Sequence, residues 1–263
     1  MFSNMGSVLI DEGKPTEALE SYRKALAIYE ALVKENGTNA FYRRELATAS
    51  GSFGIALLEI GNKAEALANC REAVKSFESL VATDPNDSYV RRDLAVNYRN
   101  LAEVLAKNDD RVAARATFDQ ATKSLDELAT KDPTNALVGY QRGLMYLSLS
   151  MFLADGGDPS GAADKIHEAI KIGEALIAIA ADNNSARELM AQSYFQLGKC
   201  DALLAAKAAT EKGTDAWREA KGHYQKSLEI YQDMKSKGTL SGADAGKPDE
   251  LAKEIAKCDA NVR

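Results

Sequence analysis

The chain has 263 residues and a formal net charge of −6 at pH 7. An acidic protein does not bind by neutralising phosphates, so we expect no nucleic-acid partner. No run of 18 apolar residues occurs, and the N-terminus lacks the basic opening and long apolar run of a signal peptide, so we expect no membrane insertion.

A sequence pattern returns every 48 residues. The tripeptide Glu-Ala-Leu at 17–19 returns at 65–67, and apolar residues between these points follow spacings of three and four, which is typical of helices. Small residues recur at Gly6, Gly54, Ala102, Ser150 and Gly198, and bulky residues recur at Tyr22, Phe118 and Ile166, with Cys70 between them. This alternation predicts paired helices in which a large side chain fills the gap left by a small one.

The elements follow in chain order. Residues 2–11 align with 50–59, which is only the second half of the first helix of a pair. Further helices are predicted at about 15–35, 39–60, 63–83, 87–107, 110–130, 135–155, 159–181 and 185–208. Asn and Asp near their starts predict N-caps. The register breaks once, by ten residues around 205–217, and we expect a longer helix end and a loop at 211–214 there.

One motif resembles a known family. Gly6, Ala18, Tyr22 and Ala25, at intervals of 12, 4 and 3, resemble the tetratricopeptide pattern, and later repeats carry the same positions. The 48-residue period exceeds the family's 34 by about two helical turns in each helix, and the Pro that usually closes the second helix is missing. The resemblance implies an all-α fold, a right-handed superhelix or α-solenoid of antiparallel helix pairs with elongated helices.

This interpretation divides the chain into three parts. We expect a single array at 1–235, a flexible connection at 236–247 and a C-terminal capping helix at 248–263, since terminal repeats need a cover. The predicted units of the array are 1–35, 36–83, 84–131, 132–181 and 182–235.

Groups able to perform chemistry are sparse. His167 and His223 each flank a core position and are expected at its solvent edge, and Cys70, Cys200 and Cys258 lack paired spacing. No nucleotide-binding, zinc-protease or kinase signature occurs. We therefore expect no enzyme activity, no cofactor and no metal in this chain, and a cytoplasmic, reducing environment.

The resemblance also implies a partner site. In the tetratricopeptide family the first helix of each pair lines the concave face, so we expect a protein or peptide partner there. The residues placed on that face are Arg44, Ile55, Leu58, Arg92, Val96, Arg99, Glu103, Tyr140, Leu144, Leu147, Met151, Phe195 and Lys199. Apolar anchors beside Arg and Lys suit a peptide or helix that carries a carboxylate.

Alternatives stay open from the sequence. The same side chains could simply fill contacts between long helices, and the Arg43-Arg44-Glu45 and Arg91-Arg92-Asp93 clusters could be intrahelical ion pairs rather than an anion site. The long repeats are similar to the C-terminal repeat regions of bacterial serine/threonine protein kinases, which implies a regulatory role with a catalytic domain upstream. Rival functions are self-assembly through the uncapped N-terminal end, or a small-molecule sensor near Tyr140, Tyr146 and Met151.

Overall fold

The computed structural model describes residues 2–208 and 211–262, and within these ranges all regular structure is helical. In chain order the helices are α1 (Phe2–Asp11), α2 (Pro15–Glu35), α3 (Ala40–Glu59), α4 (Lys63–Thr83), α5 (Ser88–Lys107), α6 (Arg111–Lys131), α7 (Ala136–Asp155), α8 (Pro159–Ile179), α9 (Asn184–Lys207), α10 (Glu211–Ser236) and α11 (Lys247–Val262). The predicted all-α class is confirmed. From α2 to α9 the predicted bounds agree to about two residues, which is the usual uncertainty of helix ends.

The helices alternate in two series. The first helices α3, α5, α7 and α9 begin 48 residues apart, and so do the second helices α2, α4, α6 and α8. Side chains of Asn39, Asp87, Asn135 and Asn183 cap the first helices by accepting hydrogen bonds from backbone N–H groups three residues on. These caps satisfy N–H groups that the helix itself leaves unpaired.

The turns from first to second helix need a left-handed residue. Gly13, Gly61, Asp109 and Gly157 occupy this position with φ between 64° and 85°. Glycine adopts such angles at no steric cost, and aspartate is among the residues that tolerate them best.

At the register break the structure has the predicted longer helix end but not the predicted loop. The loop expected at 211–214 is wrong, because α10 already begins at Glu211; residues 209 and 210 lie outside the described ranges. Most of the ten additional residues lengthen the helices: α9 has 24 residues against 20 in α7, as expected, and α10 has 26 against 21 in α8.

The helices form two compact units, with the boundary between Asp132 and Pro133. In unit 1 each helix from α1 to α6 packs against the next, and α3 also contacts α1 and α5. In unit 2 the helices α7 to α11 pack in the same sequential order, and α7 also contacts α9. First helices therefore touch one another within each unit.

The C-terminal helix α11 packs against α10 within unit 2. Leu251 and Cys258 of α11 are buried in one cluster with Tyr224 and Tyr231 of α10. The connection before α11 makes turns, in which the Asp244 N–H donates to the Ser241 carbonyl, and Asp244 is only 6% exposed. This end of unit 2 is covered by the chain itself.

Close contact between small and large residues holds the helix pairs together. A Cβ on Gly54 of α3 would lie 2.5 Å from Cys70 Sγ and 3.1 Å from the Ala66 carbonyl of α4. A Cβ on Gly6 or Gly198 would lie 2.7 Å from the ring of Tyr22 or Tyr224. The predicted complementarity is thus present as direct contact.

Replacing Gly54 with valine should lower the free energy of unfolding by about 1–3 kcal/mol, because the added atoms meet α4 backbone that cannot move aside cheaply. The matched control is Gly222→Ala in α10, where a Cβ would meet nothing within 4 Å. That change should raise stability by about 0.5–1 kcal/mol through helix propensity. Urea unfolding followed by circular dichroism measures both, and an unchanged Gly54→Val midpoint would disprove the close contact.

Candidate partner-binding site

Two arginines and one aspartate link the first helices α3 and α5 of unit 1. Arg44 Nε of α3 donates to Asp93 Oδ2 of α5 at 2.7 Å, and Arg92 donates to Asp93 Oδ1 at 2.6 Å. The Arg92 guanidinium also lies 5.7 Å from the centroid of the Tyr89 ring. Two guanidinium groups share one carboxylate, so this cluster keeps one uncompensated positive charge.

The neighbouring arginines make a different contact. Arg43 of α3 donates to Ser79 Oγ of α4 at 2.8 Å, and Arg91 of α5 bonds Glu127 of α6 at 2.6 Å. Neither arginine cluster is therefore a set of intrahelical pairs alone. In unit 2 Arg187 of α9 pairs with Asp233 of α10, which shows that the same link recurs.

Between α3 and α5 lies a polar strip that the sequence reasoning missed. A Cβ on Gly51 would lie 1.9 Å from Asn97 Oδ1, and Asn97 Nδ2 donates to the Asp93 carbonyl at 2.8 Å. Asn97 is 5% exposed, so only a glycine at position 51 admits it. Arg99 follows on the same helix, and its buried Nε has no hydrogen-bond partner among the described residues.

The apolar candidates of unit 1 are half-buried. Ile55 and Leu58 on α3 and Val96 on α5 each keep part of their surface accessible, as does Glu103. Val96 lies one turn after Arg92, so an accessible apolar side chain follows the arginine pair along α5.

In unit 2 the predicted face is largely closed. Leu147 is buried in a cluster with Tyr146 and Leu189, and Tyr140 and Leu144 pack against that cluster. Phe195 is 2% exposed, because Tyr224 and the α11 end of the chain cover it.

Leu147 and Phe195 are therefore core residues rather than contact residues. Tyr140 and Leu144 are half-buried, like the apolar candidates of unit 1, and two further candidates are exposed. Met151 is 46% exposed, and the exposed Lys199 places its Nζ 4.2 Å from the centroid of Phe195.

The titratable groups serve structural roles. His167 is exposed as predicted, but His223 is not at a free edge: its Nδ1 lies 2.6 Å from Asp201 Oδ2, and its ring stacks on Tyr194. Burial raises the pKa of the Cys70 thiol to about 12 and that of Cys200 to about 11, which keeps both protonated and unreactive. Among residues 2–208 and 211–262 no three His, Cys, Asp or Glu side chains are placed to hold a metal ion, and no helix there is long and apolar enough to cross a membrane.

Comparison with known proteins agrees with this architecture. Residues 1–37, which include α1 and α2, match the family model described as tetratricopeptide repeat. No curated protein matches the chain. Tetratricopeptide repeats generally act as non-catalytic scaffolds that bind protein partners through extended surfaces.

Three solved structures illustrate the similarity. A thermophilic tetratricopeptide-repeat protein from Thermus thermophilus shares 21% identity over 98% of this chain and 97% of its own, with a TM-score of 0.46. BtubC from P. vanneervenii shares 13% identity over 94% of this chain and 91% of its own, with a TM-score of 0.49. A tetratricopeptide repeat protein from Parabacteroides merdae shares 16% identity over 97% of both chains, with a TM-score of 0.27.

Replacing Asp93 with asparagine should lower the free energy of unfolding by about 1–3 kcal/mol, because two partly buried guanidinium groups lose their shared carboxylate. Asp93 is 14% exposed, whereas Asp119, which pairs with Arg115 at 3.0 Å, is 56% exposed. The control Asp119→Asn should change stability by less than about 0.5 kcal/mol. Equal effects in chemical unfolding would show that the cluster does not join α3 to α5.

Proposed function

We propose that this chain is a non-catalytic scaffold that binds a peptide or partner helix on the face formed by its first helices. The observation that carries the proposal is the Arg44–Asp93–Arg92 cluster, which holds one excess positive charge beside the accessible side chain of Val96. A partner carboxylate can pair with the guanidinium groups while an apolar side chain covers Val96. Such a combination of anchor and charge is typical of peptide recognition.

The proposed contact set is narrower than the one expected from the sequence. In unit 1 its members are Arg44, Ile55, Leu58, Arg92, Val96, Arg99 and Glu103. Unit 2 by itself offers Met151 and Lys199 as separate exposed candidates. Leu147 and Phe195 are left out because they are buried. Tyr140 and Tyr146 pack into the core of unit 2, so we do not propose a small-molecule sensor site there.

The cellular context is also a proposal. The long repeats resemble the C-terminal regions of bacterial serine/threonine kinases, so we infer a regulatory region of a larger signalling protein. A reducing, cytoplasmic location suits three cysteines that are free and buried. Finding a different class of domain encoded upstream would overturn this context without affecting the binding proposal.

The binding proposal is tested by selecting peptides from a displayed random library on the purified chain. The selected peptides should carry an acidic residue or free C-terminal carboxylate near an apolar residue. Arg92→Ala should weaken their binding at least tenfold, because it removes one of the two guanidinium groups, whereas Arg115→Ala on the exposed surface of α6 should not. Fluorescence anisotropy at two salt concentrations measures this, and peptides indifferent to Arg92→Ala would contradict the proposal.

A second candidate function is self-association through the N-terminal end of unit 1. Met5 and Val8, one turn apart on α1, are 48% and 53% exposed there, and adjacent exposed apolar residues can mark a protein contact.

If this end self-associates, Val8→Glu should shift the chain toward monomer, because it places a charge in the contact. Val112→Glu is the control, since Val112 is 85% exposed on α6. Sedimentation velocity over a hundredfold concentration range measures this, and a wild-type chain that stays monomeric throughout would remove the candidate.

A further inference from the structure

Unit 2 departs from the repeat at one core position. Tyr29, Phe77, Leu125 and Tyr231 occupy equivalent positions on the second helices, but the residue on α8 is Gly173. Phe77, Leu125 and Tyr231 are fully buried, so this position normally supplies a large core side chain. On α8 that side chain is missing.

A methionine takes the vacated space. A Cβ on Gly173 would lie 2.5 Å from Cγ of Met190 on α9. Methionine is unbranched and fills irregular gaps, and it can change rotamer at low cost. Core packing at this position can therefore change with the Met190 rotamer, whereas the Phe77 ring at the equivalent position of unit 1 does not offer this freedom.

A cavity of about 280 Å³ opens beside this methionine. Its walls come from three consecutive helices of unit 2, α8, α9 and α10, and its lining residues are Ile177, Arg187, Met190, Glu229, Ile230 and Asp233. We call it the outer pocket. Its volume falls just below the range of about 300–1,000 Å³ found for small-molecule sites, so it suits a single inserted side chain.

The charges around the outer pocket sum to zero, so a cationic group is favoured by Glu229 alone, the lining carboxylate that no described ion pair engages. Arg187 Nε and Nη2 both donate to the Ala181 carbonyl, and its remaining Nη1 is paired with Asp233, so this guanidinium is already engaged. Lys237 also bonds Asp233, at 2.7 Å. Glu229 is exposed at the rim, and within residues 2–208 and 211–262 no ion pair engages it. Lys226 is the nearest basic residue on α10, and it lies over the ring of Tyr194 instead.

We propose that the outer pocket receives an aromatic or branched aliphatic side chain from a helical segment of a partner protein, with a Lys or Arg one turn away that pairs with Glu229. Ile177, Ile230 and Met190 form the apolar contact, and Met190 moves to admit the side chain. This site is separate from the proposed contact set on the first helices, because none of its lining residues belongs to that set. It goes beyond the proposed function, and neither depends on the other.

The first experiment uses a fragment that combines the two features. In protein labelled with methyl-¹³C methionine, the Met190 signal is identified by its loss in Met190→Leu. Titration with 2-phenylethylammonium should shift this signal saturably at millimolar concentration, and phenylacetate should shift it at least fivefold less. No saturable shift, or an equal response to both compounds, would overturn the proposal.

Matched variants test whether 2-phenylethylammonium binds in the outer pocket. Ile177→Lys places a cation in the pocket and should weaken the response to 2-phenylethylammonium at least tenfold. Ile179→Lys on the same helix should leave it within twofold, because Ile179 is 66% exposed and does not line the pocket. If Ile177→Lys does not fold, Glu229→Lys at the exposed rim replaces it and should abolish the preference for the amine. Equal responses in the Ile177 and Ile179 variants, or a preference retained in Glu229→Lys, would count against the site.

A final experiment tests whether the outer pocket binds a protein segment in preference to a small free amine. A helical peptide with Phe and Lys four residues apart should bind at least tenfold tighter than 2-phenylethylammonium and should lose this gain when its Phe is replaced by Ala. If the amine binds as tightly as the peptide, the site takes small molecules and the proposed partner is wrong. Arg92→Ala should leave all these responses unchanged, so failure here and failure of the proposed function are distinguishable.

Discussion

The fold depends on the close approach of each first helix to the second helix that follows it. At Gly54 the approach is so close that α4 backbone and the Cys70 side chain occupy the space of a missing Cβ. Alanines on the second helices, such as Ala18 and Ala66, are fully buried for the same reason. A helix pair has one further apolar face that needs the next pair, so stability comes from the stack rather than from any one helix. A position of unit 2 that differs from the repeat, such as Gly173, is informative because the close approach of paired helices recurs elsewhere in the chain.

Much of this architecture could be predicted because it repeats. The helix bounds follow from apolar spacing and from caps such as Asn39 and Asp87, which act through contacts within a few residues. The loop expected at 211–214 failed because Gly213 and Thr214 have the composition of a turn. In the structure both residues lie within α10, and a Cβ on Gly213 would lie 3.0 Å from the Ala208 carbonyl at the end of α9. Local preference is a weak guide that the surrounding structure often overrides.

The candidate site was less predictable, since periodicity tells which residues share a face but not what covers it. Phe195 has the correct spacing for an anchor, yet Tyr224 and the end of the chain near Lys247 cover it. Asp93 looked like one member of a charged cluster, but its link to Arg44 crosses from α5 to α3. The absence of a large residue at 173 is visible in the sequence, whereas the response of Met190 to that gap requires coordinates. Pairwise contacts between distant residues account for each of these differences.

The turns between first and second helices have a practical consequence. A Cβ added at Gly61 or Gly157 would have no neighbour within 4 Å, and each of these glycines has the left-handed backbone conformation that reverses the chain at its turn. Backbone at such tips carries little of the packing, so it tolerates cleavage or added sequence better than the helices do. Gly61 and Gly157 are therefore suitable points at which to insert an epitope tag or to join new termini in a circular permutant.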